Sequence, residues 1–201
     1  MSAQNPAPTA SAESDPKLAP PGAGLPKLEL WIGRIQFRLM RWKMSRADID
    51  ALFETERSKV LELARSVPVE AAARPVLIER VRGLEDSSRY WSVIMTMDHM
   101  RIVNTSILGV VRALGRGESL EGAVGIADLK PSIDAGLESI ENFDRTCDLL
   151  VRAFAKIENL KTAKRYSHPW FGPLDAAGWH AMSAMHNGIH RRQIERILDG
   201  L

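Results

Sequence analysis

Residues 175–198 read DAAGWHAMSAMHNGIHRRQIERIL. Asp175 is a good N-cap and Gly200 a good stop, so the spacing predicts one helix ending at Leu198. Trp179, Met182, Ile189, Gln193 and Ile197 recur at helical intervals. His186 and His190 are four apart on the same face, so their imidazoles stack about one turn from each other. A helix that puts two histidines among apolar residues turns that face toward the interior, or the mouth, of a bundle.

Working back along the chain, the same periodicity repeats. Trp31, Ile35, Leu39 and Trp42 mark a helix from Leu28 to Met44, with Arg34, Arg38 and Arg41 as a polar stripe beside them. Ser45 with Asp48 resembles a capping box that restarts the helix, after which Ile49, Leu52, Phe53, Val60, Leu61 and Ala64 carry a core face to Pro68. Between Pro68 and Asp86 the pattern is ambiguous and suggests a short helix after Pro75. Asp86 or Ser87 is the expected cap of a helix through Trp91, Ile94, Met97, Ile107 and Val111 to Gly115 and Gly117. A further helix is expected from about Pro131 to Glu158, carried by Leu137, Ile140, Leu149, Val151, Phe154 and Ile157. Residues 161–174 read as irregular, with at most a short extended piece from Lys161 to Ser167. The expected fold class is an all-α four-helix bundle.

The whole chain has 201 residues, 45% of them hydrophobic and 26% charged, the balance of a globular protein. Residues 1–26 hold six of the eleven prolines among Ala, Ser, Thr and Gly. Such a segment has too little apolar surface to offset the entropy of ordering, so a disordered tail over 1–26 precedes a single domain over 27–201. The tail lacks the basic and apolar regions of a secretory signal, and no run of about 18 apolar residues suggests a membrane span. A formal net charge of +2 gives no broad cationic field, so no nucleic-acid partner is expected. The single cysteine, Cys147, excludes an internal disulfide and any multi-cysteine metal site, and fits a reducing, cytoplasmic setting.

Histidine placement carries the functional reading. His99 lies in the middle of the second core helix, in a stripe with Met95, Ile102 and Ser106. Joined to His186 and His190 from a facing helix, it would make a three-nitrogen cap with open coordination positions, as catalytic metal sites have. A pair at H-x-x-x-H spacing, or one histidine in mid-helix, is more often a hydrogen-bonded core residue than a ligand. The value lies in the combination.

Three segments resemble the DinB/YfiT-like four-helix-bundle metalloproteins. Residues 91–100, WSVIMTMDHM, are similar to the family's second helix, with a histidine in a W-S-…-D-H setting. Residues 186–194, HNGIHRRQI, are similar to its H-x-x-x-H-R-x-Q-hydrophobic signature, and residues 168–174, HPWFGPL, to an H-P-aromatic-F-G-x-L element of one branch. The resemblance spans roughly residues 30 to 198. It implies a bundle of DinB-like type holding a divalent metal, commonly zinc or nickel, on His99, His186 and His190. It further implies a small-molecule substrate, with a low-molecular-weight thiol as co-substrate of a transferase or isomerase in some members. The proline-rich tail and the basic first helix are not required by the family.

Three neutral imidazoles leave the charge of a bound cation uncompensated, so it would lower the pKa of a water or thiol ligand. Asn187 follows His186 where H-E-x-x-H would place a glutamate, so the built-in base of a zincin protease is missing. Gln193 could orient a ligand or serve as a helix–helix hydrogen bond. Asp98 projects away from His99 and reads as a surface or inter-helix partner. His168 and His180 are weaker candidates for a fourth ligand or an acid/base, and Cys147 reads as inert. From Lys27 to Arg46 six basic residues face one acid, Glu29, a local charge of +5. The ordinary explanation is a core helix with a solvated arginine stripe; the sharper one is a surface for anionic lipid or nucleic acid. The alternative to an enzyme is a non-catalytic ligand-binding or scaffold bundle. Bundles of this kind often pair through exposed helix faces, so a homodimer is also expected, with no residue fixing its interface.

Overall fold

The computed structural model describes residues 16–122 and 125–201. Its elements in chain order are helices α1 (Lys27–Lys43), α2 (Arg46–Arg65) and α3 (Val69–Ala72), strands β1 (Val76–Leu77) and β2 (Tyr90–Trp91), helices α4 (Val93–Gly115) and α5 (Glu138–Ala155), strands β3 (Tyr166–His168) and β4 (Gly172–Leu174), and helix α6 (Ala176–Asp199). The bundle is made by α2, α4, α5 and α6. α4 packs on α5 and α6, and α2 closes the ring against the same two.

Each bundle helix buries one apolar stripe. Val93, Ile94, Met97, Met100, Ile107, Val111 and Leu114 of α4 meet Phe143, Cys147, Leu150 and Phe154 of α5. On α5 the buried face runs 140–143–147–150–154, so the expected core positions Leu149 and Val151 lie to either side of Leu150 and are exposed, as is Leu137. The capping box is formed: the Ser45 side chain accepts from the Asp48 N–H, and the Asp48 carboxylate accepts from the Ser45 N–H. Asp175 caps α6 by accepting from the Gly178 N–H at 2.8 Å.

Four boundaries differ from the sequence expectation, one being α5, which spans Glu138–Ala155 where a helix was expected from about Pro131 to Glu158. The short helix comes before Pro75, not after it, because Pro68 starts α3. After Pro75 the chain is extended, and Val76–Leu77 pairs antiparallel with Leu77 opposite Tyr90 and Val76 opposite Trp91. That pairing keeps residues 90–91 out of the helix, so the cap of α4 is Ser92, accepting from the Met95 N–H at 3.1 Å, while residues 86–88 form a single 3-10 turn. Residues 166–174 form a β3–β4 hairpin in which Gly172, at φ 71°, takes the left-handed turn position that a Cβ disfavours.

The largest difference is α1. It lies outside the four-helix core and buries only Phe37, which packs on Phe171 of the hairpin at 4.7 Å between ring centroids. Arg34 donates to the Trp170 carbonyl and Arg41 to Asp175, each at 2.7 Å. The arginines therefore help strap the helix down, and Trp31, Ile35, Leu39 and Trp42 are turned to solvent. A helix with two distinct faces announces its amphipathicity in sequence but not which face meets protein. Residues 16–26 run over the turn at 85–86: Ala19 N–H donates to Asp86, and the Gly22 and Gly24 N–H groups to Glu85. The disorder expected for residues 1–15 falls outside the described residues.

Candidate metal centre

α4 carries His99 in its second turn, and α6 carries His186 and His190 one turn apart. The packing of α4 on α6 brings all three rings together: the centroids are 5.2 Å apart for His99 and His186, 4.6 Å for His99 and His190, and 4.4 Å for His186 and His190. One nitrogen from each lies within 4.8 Å of the others, a group that could hold a metal ion. His99 and His186 keep partial exposure to a cavity of about 760 Å³, while His190 is buried behind them.

The hydrogen bonds assign the tautomers of two rings. His99 donates through Nδ1 to the Leu129 carbonyl at 2.6 Å, and His190 through Nδ1 to Gln193 Oε1 at 2.6 Å. Gln193 is itself fixed by donating to the Ser88 carbonyl at 2.7 Å. Both Nε2 atoms are then lone-pair acceptors, and they face each other at 3.1 Å. Two acceptors so placed need a cation between them or a proton on one ring. Protonation is opposed: burial first, then Lys130, holds His99 down to about 4, and burial with the neighbouring rings holds His186 and His190 well below the usual imidazole range. The Nδ1 of His186 is also buried without a partner among the described residues. Three neutral nitrogen donors in one place suit a borderline cation such as zinc or nickel.

What orients these rings is a closure between two loops. Lys130 donates to the Ser87 and Ser88 hydroxyls, each at 2.8 Å, and lies over the Trp91 ring at 5.2 Å. Asp98 pairs with Arg101 at 2.8 Å and accepts the Ser132 N–H at 3.0 Å, pinning the loop whose Leu129 carbonyl meets His99. Trp91 packs on His99 at 5.0 Å and stacks near His190 at 6.3 Å, shielding them from solvent. Gln193 thus orients a histidine, and its other hydrogen bond ties α6 to the turn at residues 86–88, not to a second helix. Leu129, Ser88, Lys130 and Trp91 were not legible as site residues. The first two act through backbone carbonyls, which leave no side-chain signal.

The weaker candidates separate. His180 points away, bonded to Asp50 at 2.9 Å and packed at a tilt on Phe154 with 4.5 Å between ring centroids. His168 lines the cavity, its Nδ1 accepting from the Trp170 N–H at 3.1 Å, and burial holds it down to about 4. Cys147 is buried in the core, with Asn104 donating to its sulfur at 3.5 Å. Of the acids lining the cavity, Glu29 is taken by Arg80 and the Gly83 N–H, and Glu85 by Gly22, Gly24, Ser87 and Lys130.

The sequence model of the DinB superfamily matches residues 52–194, a span that contains all three histidines. Among solved structures, the crystal structure of TT2238, a four-helix bundle protein, is similar over 75% of this chain and 98% of that chain, at 22% identity and a TM-score of 0.55. That likeness shows the fold alone. No curated protein matches the chain.

Proposed function

The chain belongs to the DinB superfamily, and from that premise we propose that it is a metal-dependent enzyme that holds one divalent cation, zinc or nickel, on His99, His186 and His190. The observation that carries this reading is the facing pair of Nε2 lone pairs, 3.1 Å apart and held by the Leu129 carbonyl and by Gln193. A cation bound there would supply a Lewis acid that lowers the pKa of a thiol or water ligand toward neutrality. The chain's own contributions are orientation and exclusion. Leu129 and Gln193 hold two rings in the ligating tautomer, Trp91 shields them, and the cavity under α1 admits a small molecule to His99 and His186.

The reaction class follows from what the cavity lacks among the described residues. Glu29 and Glu85 are consumed by other partners, and Asn187 stands where a zincin has its base, so no free carboxylate is positioned to deprotonate water. A thiol, whose intrinsic pKa is already near 8.5, needs no such base. We therefore favour transfer or isomerisation using a low-molecular-weight thiol in a cytoplasmic setting.

The test is thiol consumption by the metal-loaded protein, with glutathione or cysteine as thiol and a panel of electrophilic alkenes and epoxides. Turnover above the blank, lost in His190→Ala, supports the proposal. Rates equal in wild type and variant, or no turnover of any pair, would assign the cavity to a non-catalytic binding protein.

A further inference from the structure

The outer face of α1 lies away from the histidine cluster, with only Leu28 and Ile32, near its N-terminal end, reaching the cavity. Leu28, Trp31, Ile32, Ile35, Leu39 and Trp42 fall within an arc of about 100° on the helix surface, opposite Phe37. They form one ridge, with Leu28 69% exposed, Trp31 60% and Trp42 79%. A single exposed leucine is ordinary; six large apolar side chains in one stripe, two of them tryptophan, mark a surface that meets something other than water.

The charges beside the ridge select the partner. Lys27, Arg34 and Arg38 line one side and Lys43 the other. Glu29, the acid of this helix, is turned toward the protein and engaged by Arg80 and Gly83, while Arg41 is neutralised by Asp175. The flanks thus carry cations and no free carboxylate. We propose that α1 is an interfacial helix that docks the protein on an anionic lipid surface, with the ridge among the upper acyl chains and the basic flanks at the headgroups.

Other occupants fit less well. Two copies paired antiparallel would set each arginine flank against its own image; paired parallel, against Lys43 and its neighbours. Both juxtapose like charges. A nucleic acid would satisfy the cations and leave the ridge in water. Residues 1–15 carry no apolar side chain larger than that of Met1, so they hold no counterpart for two tryptophans. Leu28 and Ile32 also line the cavity above the histidines, so the cavity opens beside the lipid-facing ridge.

Co-sedimentation of the full chain with vesicles tests this. Vesicles of equal parts phosphatidylglycerol and phosphatidylcholine are expected to bind at least about tenfold more tightly than phosphatidylcholine alone, and the preference should fade with added salt. The double variant Trp31→Ser/Trp42→Ser should weaken binding about tenfold or more, with the thermal midpoint and metal content unchanged, since both side chains lie on the surface. Arg38→Gln/Lys43→Gln should reduce the preference for anionic vesicles. Equal binding to both vesicles, or binding to neither, overturns the proposal. So does a dimer in analytical ultracentrifugation that the tryptophan variant converts to monomer, which would assign the ridge to a second copy.

Discussion

His190 shows how one imidazole is oriented toward its neighbours. Its Nδ1 proton goes to Gln193, whose amide is anchored on the Ser88 carbonyl, and the Nε2 lone pair is left facing His99. Gln193→Leu keeps the volume and removes the orientation. Metal affinity should fall about 10- to 100-fold in competition with a chromophoric chelator. His180→Gln, at a ring bonded to Asp50 and remote from the cluster, should lower the unfolding midpoint and leave that affinity unchanged. Cys147 offers a contrast: burial pushes its thiol far above the usual range, so iodoacetamide should modify it only when the protein is unfolded, as read by mass spectrometry. The pairing of His186 with His190 was readable from spacing, because helix geometry fixes which residues share a face; His99, on another helix, joined them only through the expected bundle and the family resemblance. The Leu129 and Ser88 carbonyls were not readable, since any residue supplies one.

Among the elements, α6 followed its sequence closely and α1 did not. Asp175 caps α6 and also receives Arg41 from α1. The two roles can be separated: Asp175→Asn preserves the cap and loses the ion pair, whereas Asp175→Ala loses both. The alanine variant should cost about 1 to 2 kcal/mol in denaturant unfolding and the asparagine variant less than half of that. Which face of α1 meets protein is not legible in its periodicity, because Arg34 and Arg41 reach inward to Trp170 and Asp175 while the tryptophans turn out. On α5 the difference is smaller: Leu150 is buried where its neighbours Leu149 and Val151 were expected. Strands β1 and β2 are two residues each, too short for an alternating pattern to register.

Across the whole molecule, burial of imidazole couples the bundle to pH. His99 and His168 are held down to about 4, His186 and His190 well below their ordinary range, and His180 is lowered as well, in each case chiefly by burial. An unfolded histidine titrates near pH 6.5, so between there and about pH 4 the unfolded chain binds more protons than the folded one. Stability should therefore fall as pH drops through that window and should not change on this account above about pH 7.5. Urea unfolding at several pH values measures it. None of the described helices is long and apolar enough to cross a membrane.

The central claim is that His99, His186 and His190 act together on one divalent cation. Its most direct test is elemental analysis after chelator stripping, reloading with zinc or nickel and removal of free metal. About one ion per chain is expected in the wild type, and none in His186→Ala/His190→Ala with helix content unchanged. A wild type that retains no ion, or a double variant that retains as much as the wild type, would contradict it.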